Sequence, residues 1–522
     1  MPNDVTTSYG GPPPAPPEPS GPRRRKLWVA AGVAGLTGIV GLAALGGVAA
    51  RQQRSTDQDR TSDKQSAAAP RQDSGGPAGK DRSEGDRDAE WSGRDGPQEQ
   101  RDGGKPAKRV PCDSDKLIEA ITYANANHGG ALELARACTY ELTRSEHGNG
   151  LPVIKQAVTL IGRDTRITRA ANVAPFRIFN VGRNGHLTLK DVTVRGGQTW
   201  PDLIAGRATP KTATGRAAPK TATGRAAPKA ATGPHDGAGL LVQRGGRADI
   251  ERSEFSINHS GGNGGAVANF GTIRLAHTLV EGNSAAGAGG GVFNAGVLRV
   301  EDARIAANSA QFGGGGIGNG APQDGTRVSG GTTWVWRSTI SHNRTAGVGG
   351  GILDVEGTTT VRQSQVTDNN ASESGGGIIA YNGTKLALER VLVAGNSTDG
   401  DAGGVAVSFE SSAVIEHSAI KENVAGGSGA GLNVSLSDVV LRDTEVVANQ
   451  AVGHDSAGGG IVNDLGRVRL ERSKVAHNVS VLPPGGISTN NGGVTIDRAS
   501  AVTGNRPTNC TGSLVIPNRC FG

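Results

Sequence analysis

Between residues 250 and 505 one short pattern returns ten times: an aliphatic residue or Phe, two variable residues, then Asn. The instances are Phe255 to Asn258, Val280 to Asn283, Ile305 to Asn308, Ile340 to Asn343 and Val366 to Asn369, then Val393 to Asn396, Ile420 to Asn423, Val446 to Asn449, Val475 to Asn478 and Val502 to Asn505. Neighbouring asparagines lie 25 to 29 residues apart, except for one interval of 35 before Asn343. A period of this size marks a solenoid, in which each repeat packs on its neighbours and the repeats together bury a continuous core.

Other columns keep phase with the Asn. Eight residues before it stand Ile250, Leu275, Val300, Val335 and Val361, continuing to Leu470, with the tenth slipping by one to Ile496. Five residues before it stand mostly small hydroxyl residues, such as Ser253, Thr278, Ser338 and Ser364. Between these columns lie mostly polar pairs such as Glu251-Arg252 and Glu301-Asp302, and glycine runs such as Gly349 to Gly351 separate the units. Apolar residues two apart face one side of a strand. An outward polar pair lets the chain turn a corner, and glycine tolerates the tightest bends. Three short strands per coil use up such a period, and equivalent side chains then stack at about 4.8 Å. The stacked asparagines Asn258, Asn283, Asn308, Asn343, Asn369, Asn396, Asn423, Asn449, Asn478 and Asn505 are expected to satisfy buried groups at one corner. The 83 glycines and 3% aromatic content argue against a large helical core. A leucine-rich repeat would need more Leu and a helical side, and a propeller blade a longer period.

The motifs Gly264-Gly265-Ala266-Val267 and Phe255-Ser256-Ile257-Asn258, with looser forms such as Gly289-Gly290-Gly291-Val292, resemble the repeats of the chlamydial polymorphic outer membrane proteins. The region also resembles the right-handed β-helix repeats of pectin-lyase-like proteins. Cys112 to Cys138, with the helical pattern between them, resembles the N-terminal cap of exported bacterial β-helix proteins. The resemblance spans about residues 111–520 and implies an all-β, right-handed parallel β-helix. About 11–12 coils over residues 151–508 would make a rod roughly 50–60 Å long. The chlamydial proteins are autotransporters with a C-terminal membrane barrel. This chain stops after its last coil, so export is expected to fall to its N-terminal apolar segment.

The expected organisation begins with a disordered, Pro-rich cytoplasmic arm over 1–26. An uncharged stretch over 27–50 follows Arg23-Arg24-Arg25-Lys26 and is long enough for a transmembrane helix or signal anchor. Cleavage after its small residues would instead give a secreted form. Residues 51–110 read as a disordered, charged linker. An N-terminal cap follows over 111–150. In it Asp113 or Ser114 starts a helix with Leu117, Ile118, Ile121 and Ala124 on one face. The β-helix spans 151–510, interrupted by a low-complexity basic insertion over 206–235, and a disulfide-closed tail occupies 511–522. The four cysteines allow three pairings. A rod of this length bars end-to-end links, so Cys112–Cys138 and Cys510–Cys520 are expected.

Candidate chemistry is sparse. Asp354 and Glu356, two apart on an expected strand, are the best carboxylate pair for acid–base work or cation binding. His342 and Asp368 precede the repeat Asn on adjacent coils, in a stripe that also holds Glu422 and His477. Trp334 and Trp336 sit beside the longest coil, either stacking on a sugar ring or packing beneath its extra loop. Arg207, Lys211, Arg216, Lys220, Arg225 and Lys229 of the insertion offer a basic finger for an anionic wall polymer or lipid head groups. No cofactor, metal or nucleic-acid motif is present in the sequence. The leading reading is a cell-surface or secreted protein that binds polysaccharide, held to the membrane by its N-terminal helix. The alternative is a polysaccharide lyase or glycoside hydrolase on the same fold.

Overall fold

The computed structural model describes residues 107–199, 233–322 and 328–522. The arm, the apolar stretch 27–50, most of the charged linker and the basic candidates Arg207 to Lys229 lie outside the described residues. Among the described residues no helix is long and apolar enough to cross a membrane.

The chain winds into a parallel β-solenoid of about 13 turns with almost no helix. That is more than the 11–12 expected. An early turn is laid down by Gly130–Leu134, inside the stretch read as cap, where Leu132 pairs with Leu160 of the next turn. The strands form sheets of 25, 11 and 9 members. One complete turn shows the plan. Arg247–Glu251 and Glu254–Ser256 both join the broad sheet, His259–Ser260 the narrow one, and Val267–Asn269 the third. A turn therefore carries four short strands, not three, because a bend divides the broad sheet lengthwise.

The repeat columns become ladders. Ile250 pairs with Leu275, Leu275 with Val300, and so on through Val335, Val361 and Leu388 to Leu470 and Ile496. These side chains fill the bore as one continuous apolar core. At the bend the chain enters the left-handed region at residues that are not glycine: Arg252 (φ 45°), Asp302 (φ 48°), Arg337 (φ 44°) and Arg472 (φ 47°). A hydroxyl residue follows and satisfies the stranded backbone there. The Ser338 hydroxyl donates to the Trp336 carbonyl (2.7 Å) and accepts from the Ala303 amide (3.1 Å).

At the next corner the repeat asparagines stack. Each Oδ1 accepts from the backbone amide and from the side-chain amide of the Asn one turn earlier, as Asn369 does from Asn343 at 3.0 Å each. Each Nδ2 also reaches a backbone carbonyl one turn back, as from Asn369 to Ile340 at 3.0 Å. The series runs unbroken from Asn258 to Asn505. Glycine is needed where the chain enters the third sheet. Gly349 has φ +70°, and a Cβ on Gly350 would lie 2.4 Å from the Gly376 carbonyl oxygen.

Each end of the described solenoid carries a disulfide, Cys112–Cys138 and Cys510–Cys520, with Cα separations of 5.7 and 6.0 Å. The helix Ser114–Ala126 starts at Asp113, whose carboxylate accepts from the Asp115 and Lys116 amides. Its Leu117, Ala120, Ile121 and Ala124 are buried. Strand structure begins at Lys108–Val110, within the stretch expected to be linker, through pairing with Leu132–Leu134. Where the chain returns from the insertion, buried Arg177 donates to the carbonyls of Pro234 (2.9 Å) and Asp236 (2.7 Å) and to Asn149 Oδ1 (3.2 Å). Burial lowers its pKa to about 10. This clasp fixes the re-entry point, so the insertion leaves the stacking of the coils unbroken.

Candidate functional site

The three sheets differ in how much outer face they leave open. The outward residues of the third sheet are covered. Leu241, Ala268 and Phe293 pack with Phe270, Ala288 and Ala321, while Leu353 and Ile379 pack with Ala402 and Ala406. The broad sheet alternates buried and accessible residues along each strand, as in Thr332–Trp336. The narrow sheet is open too, but its strands are two residues long, so the broad sheet offers the wider flat, repetitive surface.

Trp334 and Trp336 stand on that outer face, 39% and 41% exposed. They are two apart on one strand and so point the same way. Of the long loop of their coil, the described Ala321 and Val328 pack against the Phe270–Phe293 cluster outside the third sheet. The Arg299 guanidinium lies 5.3 Å from the Trp334 ring, and that of Arg337 lies 3.6 Å from the Trp336 ring. Trp336 Nε1 donates to Gln363 Oε1 at 3.0 Å, which fixes the ring edge. Arg337 also forks onto Asp302 at 2.7 and 2.5 Å and holds that carboxyl below its usual range. The result is a pair of accessible indoles held by neighbouring turns, a surface suited to stacking against a sugar ring.

The column through Trp334 reads Asp249, Arg274, Arg299, Trp334 and Thr360 on successive turns. Asp249 is half-buried. Burial pushes its carboxyl up, but hydrogen bonds from His186 (2.6 Å) and Arg247 (3.0 Å) outweigh that and hold it low. Arg274 is engaged by Glu301 at 3.0 and 2.5 Å. Further along, Arg390, His417, Asp443 and Glu445 line a shallow groove at the bend, with Arg472 forked onto Asp443 at 2.8 and 2.7 Å. Sequence reasoning missed this column, although the signal exists: its members stand nine residues before each repeat Asn.

The carboxylate pair is corrected. Asp354 and Glu356 do not share a face. The strand ends at Val355, and Glu356 turns into the left-handed region (φ 57°). Asp354 is fully buried and continues an inner ladder of Asn269, Asn294 and Asn319. There it accepts from the Thr359 hydroxyl at 2.6 Å, and desolvation raises its pKa to about 6. Glu356 accepts from Ser329 at 2.5 Å and Asn382 at 3.2 Å. His342 and Asp368 are exposed on adjacent turns, yet no hydrogen bond or ion pair joins them. With Glu422 and His477 they occupy the left-handed corner before the Asn (φ 55–57°), the position filled by glycine at Gly282, Gly395 and Gly504. Their alignment follows from the corner. Among the described residues no group of three or more His, Cys, Asp or Glu is arranged to hold a metal ion.

Fold and surface together define a parallel β-solenoid whose broad sheet has an accessible outer face with an aromatic platform on it. No protein-family model matches the chain, and no curated protein matches it either. Solved structures with a similar chain path include the A-modules of two mannuronan C-5 epimerases of Azotobacter vinelandii. AlgE4 is 14% identical with a TM-score of 0.36, covering 75% of this chain and 96% of its own; AlgE6 is 14% identical with a TM-score of 0.34, covering 77% and 94%. The surface adhesin PfbA of Streptococcus pneumoniae is 9% identical with a TM-score of 0.32, covering 70% and 91%. Values this low leave function to the residues of this chain.

Proposed function

We propose that this chain is a cell-surface or secreted, right-handed parallel β-helix protein that binds polysaccharide on the outer face of its broad sheet. Trp334 and Trp336 form the platform. The supporting observation is the exposure of both indoles on one strand, beside arginines. An aromatic ring offers a flat apolar face to the C–H face of a sugar while its edge stays hydrogen-bonded. The two disulfides fit an oxidising compartment outside the cytoplasm. Residues 27–50 supply the membrane anchor in this reading, and the helix Ser114–Ala126 acts as the cap that shields the first coil. The motif likeness to the chlamydial and pectin-lyase-like repeats extends to winding and handedness, not to a reaction. The enzyme alternative loses its main support, because Asp354 is sealed inside the coil and cannot reach a substrate.

The test is a glycan array probed with the purified protein and with Trp334→Ala/Trp336→Ala. The expected result is binding to a subset of polysaccharides that the double variant loses at unchanged thermal stability. Binding that survives the double substitution would remove the platform from the reading.

A further inference from the structure

The face around Trp334 also carries a charge pattern that selects among polysaccharides. Arg274 and Arg299 stand in register on adjacent turns. Glu301 lies within reach of this pair, and Arg274 takes it with both Nε and Nη2. Arg299 is exposed and makes no hydrogen bond or ion pair among the described residues; its one contact is the Trp334 ring. Arg304, outward on the same turn beyond the bend, is likewise exposed and without a carboxylate. Asp302, between them in sequence, is occupied by Arg337. Around the indoles Arg274 is therefore taken by Glu301 and Arg337 by Asp302, and the guanidiniums left without an ion pair are Arg299 and Arg304.

Elsewhere on this sheet many arginines are matched, although the exposed Arg166 and Arg195 on its early strands form no ion pair either. Arg252 binds Asp191, Arg362 binds Glu389, Arg442 binds Glu416 and Glu471, and Arg467 binds Asp438. What sets Arg299 apart is that it is left over directly beside an exposed indole. A guanidinium over an indole keeps its planar N–H fork free at the edge, oriented for a carboxylate or another oxyanion.

We infer that the Trp334–Arg299 site takes an acidic polysaccharide, with the sugar ring on the indole and its carboxylate on the Arg299 fork. This rests on the polysaccharide-binding reading above. The geometry fits one residue of a chain lying along the axis of the solenoid, because Arg299 and Trp334 sit one turn apart, about 4.8 Å.

The test measures binding of the full-length protein to a carboxylated polysaccharide and to the same polymer after reduction of its carboxyls to alcohols. Four proteins are compared: wild type, Arg299→Gln, Trp334→Ala, and Arg498→Gln as a distant exposed arginine. The expected result is a wild-type preference of about tenfold or more for the carboxylated form, the scale of one charge-assisted contact. Arg299→Gln should abolish that preference while still binding the reduced polymer. Trp334→Ala should weaken both, and Arg498→Gln should match wild type. Equal wild-type affinity for both polymers would overturn the acidic specificity and leave the platform standing. An equal loss in Arg498→Gln and Arg299→Gln would reduce the effect to general charge and also overturn it. Binding of neither polymer by wild type would overturn the inference together with the reading beneath it.

Discussion

Asn369 offers the sharpest test of what holds the coils together. It is fully buried in the middle of the corner ladder. Replacing it with Ala leaves two groups without partners, the Asn343 backbone amide and one Asn343 side-chain N–H, and removes one of the bonds to the Ile340 carbonyl, which stays in the strand ladder with the next turn. Asn396 Oδ1 keeps its second donor, the Asn369 backbone amide. A buried orphaned group costs about 1–3 kcal/mol, so two of them with partial relaxation amount to about 2–4 kcal/mol. Asn370, the next residue, is the control. It is exposed and donates to Ser397 Oγ at 3.0 Å, so Asn370→Ala should change stability by less than about 0.5 kcal/mol. Solenoids can open locally, so a global midpoint alone would blur the effect. Native-state hydrogen exchange resolves it, with the Asn343 amide reporting on the lost acceptor and the Asn449 amide, four turns further on, serving as reference. Protection at Asn343 should fall by at least a hundredfold in Asn369→Ala and stay unchanged in Asn370→Ala. Equal behaviour of the two variants would refute the ladder as a source of stability.

The remaining expectations concern the inner ladder, a corner and one end of the described solenoid. Raising the Asp354 carboxyl from 3.8 to about 6 means the folded state holds its proton more tightly than the unfolded chain, so stability is lost as pH rises through that window. The loss is about 3 kcal/mol at about 1.36 kcal/mol per pH unit, and Asp354→Asn should flatten this part of the pH–stability curve measured by urea unfolding. Ala448 holds φ 55° where other turns use glycine, so Ala448→Gly should be neutral or stabilising by up to about 1 kcal/mol in thermal unfolding. Replacing Cys510 and Cys520 together by Ser should cost about 2–3 kcal/mol and deprotect the last turns in hydrogen exchange, while the Asn343 amide stays protected.

The interior was legible because stacking forces each inward position to repeat. Leu275 must sit over Ile250 and under Val300, and Asn283 must sit beneath the amide of Asn258, so the constraint prints itself on the chain once per turn. The fourth strand per turn left a fainter mark. The bend after Glu251 or Glu301 is made by Arg, His or Asp in the left-handed region, and the usual glycine signal is missing there. The early turn at Gly130–Leu134 was hidden for a related reason, since it lacks the Asn and the glycine run that announce the others.

The outer face is harder to read because no such constraint acts on it. A strand alternates strictly, so two carboxylates two apart share a face only while the strand lasts. A single left-handed residue at Glu356 put one of them in solvent and left the other in the bore. The stripe of His342 and Asp368 misleads in the opposite direction, since a conformational requirement of the corner aligned residues that have no chemistry in common. What separates a surface with a task from one without is a departure from local matching. Along the broad sheet many arginines find carboxylates on their own or the next turn; beside the only indoles on its described strands, Arg299 does not. An exposed, unpaired arginine against an exposed tryptophan does little for the stability of the fold. It is the pattern expected where the missing partner arrives from outside.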